Sequence, residues 1–130
     1  MLNLSLPGRI FLCTLPTDMR KSFDSLSGLV QQHLRQDPLA GDLFVFRSKR
    51  GDRLKFLYWD NDGFAIWYKR LEEGTFVFPT PDEHREAVGT HGLTIRPAEL
   101  AMLLEGIDLQ SIKRRQRYHR RKTAQPAANS

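Results

Sequence analysis

The chain has 130 residues, 40% of them hydrophobic and 27% charged, which is one domain's worth of sequence with material for a real core. A single cysteine, Cys13, excludes an internal disulfide and a cysteine-rich zinc site; no run approaches the ~18 apolar residues of a membrane span, and Pro7, Gly8 and Arg9 interrupt the segment where a signal peptide needs continuity, so a reduced, cytoplasmic setting is expected. The formal charge of +5 excludes a uniformly basic domain, because residues 1–109 hold 13 basic and 15 acidic side chains (13 − 15 = −2) whereas residues 110–130 hold 7 basic and none acidic.

In chain order, residues 9–14 read as a short strand ended by Pro16. Thr17 or Asp18 then offers a side-chain oxygen to the free amides of a helix start. Phe23, Leu26, Val30, His33 and Leu34 follow at spacings of three and four, the buried stripe of an amphipathic helix over residues 19–35, closed by Asp37-Pro38. From residue 43 the apolar period changes to two. Strands are expected at 43–47, 53–59, 64–70 and 75–78, with a turn at 48–52 and a second at 60–63 in which Gly63 takes the left-handed conformation. Leu54, Phe56 and Tyr58 alternate with Leu57 and Trp59, and Phe64, Ile66 and Tyr68 alternate with Ala65 and Trp67. Both faces of the sheet are therefore apolar and want covering. Residues 79–92 read as a loop and 93–95 as a short strand. Pro97 suits a first helical turn, Leu100, Leu103, Leu104 and Ile107 mark a second helix, and Gly106 a C-cap. The expectation is a single α+β domain over residues 1–109. It comprises an antiparallel β-meander of about four or five strands flanked by a long helix and a shorter C-terminal one, with residues 110–130 as a basic tail, either a helical extension or disordered.

Two basic blocks invite polyanions. The tail carries Lys113, Arg114, Arg115, Arg117, Arg120, Arg121 and Lys122 without a compensating acid, the pattern that releases counterions from nucleic acid; its bland alternative is a solubilising tail. The first hairpin carries Arg47, Lys49, Arg50, Arg53 and Lys55 against one acid, Asp52, beside Tyr58, Trp59 and Trp67. Such a hairpin can follow a phosphate backbone, or can be an edge kept soluble by charge. No catalytic or metal site and no cofactor is expected. Asp60, Asp62, Glu72 and Glu73 are the only carboxylate cluster near a turn, and hairpin chemistry accounts for them. His84 and His91 lack a zinc spacing, and His33 reads as a hydrogen-bonded core or edge histidine.

Thr17-Asp18-Met19-Arg20-Lys21, Phe23-Asp24, Asp37-Pro38, Gly41, Leu43-Phe44-Val45-Phe46, Lys55-Phe56-Leu57-Tyr58-Trp59-Asp60, Asp62-Gly63-Phe64 and Trp67-Tyr68-Lys69-Arg70-Leu71-Glu72 stand in an order that closely resembles one family. It is the second-frame (Orf2-like) accessory protein TnpB of the IS-sixty-six group of bacterial insertion sequences. Leu103-Leu104-Glu105-Gly106-Ile107-Asp108 resembles its closing motif, and Ser22 and Ser25 depart from the family's usual glycines. The resemblance implies a protein encoded beside a larger transposase and needed for efficient movement of the element, with the catalytic carboxylates in that other protein.

Asp18, Met19, Trp59, Asp60 and Trp67 match the motifs, and three have structural readings: capping for Asp18, turn closure for Asp60 and packing for Trp59. Arg20, Lys21, Lys69 and Arg70 also match, and no structural need explains four cations. Arg20 and Lys21 are expected in the first turn of the long helix, where the macrodipole disfavours positive charge. They are the leading candidates for contact with DNA or the transposase. The reading is a non-enzymatic factor in DNA transposition that binds DNA, the transposase or both. A module binding the transposase alone is the alternative, and a small metal-dependent nuclease the remotest one.

Overall fold

The structure, a computed structural model, describes residues 8–81, 85–107 and 109. Six strands form one mixed sheet: β1 (Ile10–Thr17), β2 (Leu43–Ser48), β3 (Arg53–Asp60), β4 (Gly63–Arg70), β5 (Ala87–Val88) and β6 (Gly92–Ile95), in the order β4-β3-β2-β1-β6-β5. Helix α1 (Phe23–Leu29) continues into a π-helical turn, Val30–Leu34, and α2 (Pro97–Leu104) follows β6.

The class is α+β, as expected, but the sheet is not an antiparallel meander throughout. β2, β3 and β4 do form a meander, joined by two tight turns. β1 instead runs parallel to β2, from Ile10 opposite Leu43 to Thr17 opposite Ser48, and antiparallel to β6 on its other side. The physical reason is the helical segment between β1 and β2. It carries the chain back along the sheet, so the next strand begins at the same end as the first. Residues 75–78, expected as a strand, join no ladder. Phe76 and Phe78 plug a core from outside the sheet.

The strand alternation sorts side chains as the sequence implies. Ile10, Leu12, Leu43, Val45, Leu54, Phe56, Leu93 and Ile95 share one face with Phe76, Phe78 and the α2 leucines Leu100 and Leu103. Phe11, Cys13, Phe44, Phe46 and Leu57 share the other with Leu26, Val30 and Leu34. Both apolar faces are covered by the chain itself. Full burial of side chains such as Phe44 or Phe56 is worth roughly 1.5–3 kcal/mol each.

The first helix is shorter than its periodicity suggests. β1 runs through Pro16 to Thr17, and Ser22, not Thr17 or Asp18, is the N-cap. The Ser25 hydroxyl accepts the Ser22 N–H at 2.9 Å, and Ser22 C=O accepts the Leu26 N–H at 2.8 Å. Arg20 and Lys21 therefore precede the helix, and the macrodipole does not act on them as a first turn would. Phe23, counted in the buried stripe, is 44% exposed. Leu26, Val30 and Leu34, spaced by four, are buried, and the wider π turn keeps them on the sheet. Arg35, left-handed at φ 54°, ends the helix before Asp37-Pro38 is reached. In the β3–β4 turn, Asn61 rather than Gly63 adopts positive φ, at 61°. α2 opens at Pro97 as expected but ends at Leu104 with Glu105 as its C-cap, so Ile107 lies past the helix; Gly106, at φ 82°, reverses the chain just beyond the cap, with Gly106 N–H on Leu103 C=O and Ile107 N–H on Met102 C=O.

Candidate nucleic-acid interface

Parallel pairing sets the C-terminal ends of β1 and β2 side by side, Thr17 against Ser48. β4 ends at the same place, because Arg53 opposite Arg70 is the last pair of the β3–β4 ladder. Three connections thus meet at one end of the sheet: residues 18–22, 49–52 and 71–75. Backbone bonds tie the last two, with Leu71 N–H on Asp52 C=O at 2.8 Å and Phe76 N–H on Gly51 C=O at 2.7 Å. Gly51, at φ 83°, supplies the left-handed residue of the turn. Between the 18–22 connection and the hairpin lies an open cleft of about 700 Å³, lined by Asp18, Arg20, Lys49, Arg50, Arg53 and Tyr68 among others.

Nine of the candidate cations sit at this end, and they divide into two ranks. The inner rank is built into the structure. Arg47 donates to Phe76 C=O at 2.9 Å and lies over the Phe78 ring at 4.3 Å, so it pins the 75–78 segment, and burial lowers its pKa from the ordinary arginine value. Lys55 is only 8% exposed; its Nζ donates to Lys21 C=O at 2.7 Å and stands 4.8 Å from the centre of the Tyr68 ring. Lys21 therefore serves by its carbonyl, which anchors the entry to α1. Arg53 donates to the Tyr68 hydroxyl at 3.2 Å.

The outer rank faces solvent. Lys49, Arg50 and Lys69 are exposed, with no hydrogen-bond or ion-pair partner among the described residues. Arg70 has a loose, exposed contact with Glu72 at 3.2 Å. Arg20 is nine-tenths exposed but not free. Its Nε reaches both Asp18 oxygens at 3.1 Å, its Nη2 reaches Oδ2 at 2.7 Å, and its backbone N–H reaches Oδ1 at 2.9 Å. These bonds hold the Asp18 carboxyl well below the usual carboxylate range, and the carboxylate in turn raises the Arg20 pKa. Asp18 thus orients an arginine instead of capping a helix.

The body of the chain carries −2 over residues 1–109, yet nine of its 13 cations gather here. Against them stand Asp18, Asp24, Asp52, Glu72 and Glu73, a local balance of 9 − 5 = +4. The sequence places Ser48 and Asp52 in the hairpin turn but does not show the bonds they make there. The Ser48 hydroxyl donates to Asp52 Oδ1 at 3.2 Å and accepts the Arg53 N–H at 3.1 Å, fixing the turn that presents Lys49 and Arg50.

The motif aromatics are packing residues. Trp67 lies against Phe56 at 4.6 Å between ring centres, and Trp59 meets Phe64 edge-on at 5.1 Å. Met19 packs against the α1-side core. Asp60 stands exposed at the β3–β4 turn. The carboxylate cluster is split: Asp60 and Asp62 precede β4, while Glu72 and Glu73 follow it, eight strand residues or roughly 26 Å away at ~3.3 Å per residue. Those four carboxylates cannot converge on one ion. His33 is half-buried with its ring 5.4 Å from that of His91, and its carbonyl accepts the Thr90 and His91 N–H groups. Cys13 is buried, and burial pushes its thiol pKa up, away from reactivity. His84 and the tail cations Lys113, Arg114, Arg115, Arg117, Arg120, Arg121 and Lys122 lie outside the described residues. Among those residues, no helix is long and apolar enough to cross a membrane.

Comparison with known proteins gives a family match and two curated relatives. The family model described as IS66 Orf2 like protein matches residues 8–114. The protein named uncharacterized protein y4jC of Sinorhizobium fredii is 40% identical over 107 residues, which cover 82% of this chain and 86% of that protein. Uncharacterized protein y4hO of the same organism is 41% identical over 100 residues, 77% of this chain and 81% of that protein. No solved structure matches the chain.

Proposed function

We infer that this chain, which belongs to the IS66 Orf2 like family of insertion-sequence accessory proteins, assists transposition by laying the basic end of its sheet on DNA phosphates. The observation that carries the reading is the gathering of nine cations at one end of a body whose overall charge is −2, with Lys49, Arg50 and Lys69 exposed and without a partner among the described residues. Unpartnered cations at a protruding turn neutralise phosphate without first giving up an internal bond. Exposed lysines and arginines on turns meet phosphate oxygens, which carry no sequence information, so contact with little sequence choice is the natural mode. The tail, residues 110–130, adds seven positive charges and no acid.

The test is a salt series of DNA binding with the full chain, with Lys49→Glu plus Arg50→Glu, and with residues 110–130 removed. Each lost phosphate contact lowers the slope of log affinity against log salt by about 0.9. The double variant is expected to lose about two of that slope and at least tenfold in affinity, the truncated chain to lose more, and both to keep the parent's thermal melt. A slope unchanged in the double variant removes the hairpin from the interface. A second reading, docking on the transposase, is favoured by the acids Asp18, Asp52 and Glu72 interleaved with the cations. It predicts affinity for the transposase that survives where DNA binding is absent.

A further inference from the structure

β4 is the outer strand of the sheet, and no described residue pairs with its free edge. Natural edges are blunted by shortness, charge, proline or a bulge. The opposite edge obeys this rule, since β5 has two residues. β4 has eight, reads Gly63-Phe64-Ala65-Ile66-Trp67-Tyr68 before its first charge, contains no proline, and keeps an unbroken register with β3. Phe64, Ala65, Ile66 and Trp67 are each only half-buried. The hairpin geometry fixes which amides are free. A two-residue turn, Asn61-Asp62, closes on Asp60 and Gly63, which exchange hydrogen bonds. Ala65, Trp67 and Lys69 then bond toward β3, while Phe64, Ile66, Tyr68 and Arg70 turn N–H and C=O to the open side.

We propose that a second copy of this chain covers that edge, β4 against β4, antiparallel about a two-fold axis at Ile66. The strand is complementary to itself in this register. Ile66 meets Ile66, Phe64 meets Tyr68, and the small Ala65 receives Trp67, each pair on one face of the joined sheet. The outward amides pair only with outward amides. Asp62 of the acidic turn comes opposite Arg70, with Asp60 and Lys69 adjoining. A shift of two residues one way sets Asp62 against Glu72; the other way removes the Ala65–Trp67 pairing. A parallel arrangement would set Lys69 and Arg70 against their own copies. Strand addition of this kind is isologous and closes at two copies. It also sets the two basic ends at opposite ends of the continuous sheet.

Sedimentation equilibrium of the full chain at tens of micromolar is expected to give about 30 kDa, twice the 15.1 kDa chain. Asp62→Arg and Arg70→Asp each turn two attractions into two repulsions and are expected to weaken the dimer about tenfold or more. The double swap, Asp62→Arg with Arg70→Asp, is expected to restore it. Ile66→Lys, a charge on the edge, should give a monomer with the parent's circular dichroism. A monomeric parent overturns the proposal, as does a dimer indifferent to the single reversals or a swap that fails to rescue. A monomer whose β4 amides become protected from hydrogen exchange only when the transposase is added assigns the edge to that partner and overturns it too.

Discussion

The inner and outer cations at the end of the sheet differ less in sequence than in what they touch. Arg47 and Lys49 are two residues apart, and Arg53 and Lys55 likewise. Yet Arg47 and Lys55 are bound to backbone carbonyls and aromatic rings within the molecule, while Lys49 has no partner among the described residues. A buried cation stabilises the fold through bonds that a ligand cannot share. A free one does little for the fold and is available to a partner. Counting basic residues in a hairpin therefore overstates the binding surface.

The comparison is sharpest at Arg85, a buried cation far from the basic end. It is 5% exposed, and its Nη2 meets Glu99 Oε2 at 2.8 Å. Glu99 also accepts the Arg96 N–H that opens α2. If burial decides the role, Arg85→Ala should be the most damaging change, costing about 3 kcal/mol in urea unfolding, because it removes the buried charge partner of the Glu99 carboxylate, which keeps its looser contact with the exposed Arg96 at 3.7 Å. Arg47→Ala and Lys55→Ala come next, at about 2 kcal/mol each, the worth of a hydrogen bond to a charged group, and should leave the salt slope of DNA binding near the parent's. Lys49→Ala with Lys69→Ala should do the reverse: stability within about 0.5 kcal/mol of the parent, salt slope lower by about two. If that pair destabilises the chain as much as Arg47→Ala does, the division into two ranks fails.

The smallest effect concerns Asp18, which belongs to the outer rank by exposure and to the inner by bonding. Its folded pKa is depressed, so its contribution is present above the unfolded carboxylate value of about 4 and is lost as pH falls below that. Asp18→Asn should flatten the acid limb of a stability–pH profile slightly and leave neutral pH almost unchanged. The same variant frees Arg20, and DNA affinity at neutral pH should rise modestly. A fall would mean that Arg20 works only when held by Asp18.

Much of the site was legible as a list of residues and little of it as a place. Lys69 and Arg70 stand out in the sequence because no structural need explains their charge, Lys49 and Arg50 because they belong to a basic hairpin, and all four lie exposed at one end of the sheet. Arg47 and Lys55 belong to the same basic hairpin and have packing partners. The Phe76 carbonyl and the Lys21 carbonyl that bind them lie 29 and 34 residues away, beyond the reach of any local pattern. Arg20 and Lys21 read as helical because Thr17 or Asp18 offers an N-cap just before them. The backbone stays extended through Thr17 instead, and Ser22 caps later.

What the sequence determined by itself is the set of elements and their faces. A period of two sorted Leu54, Phe56 and Trp67 from Leu57, Phe64 and Ile66, and Pro97 and Gly106 bounded the second helix, because these signals act within a few residues. The sequence also held a helical segment between two strands, the pattern that favours parallel pairing, but pairing partners are chosen by burial on both faces at once. Only the tertiary structure decided that β1 inserts between β2 and β6, and that choice brings Asp18 and Arg20 beside Lys49 and Arg50. Register and adjacency are long-range: they satisfy the backbone bonds and cover both apolar faces of the whole sheet, and no window of sequence contains that sum.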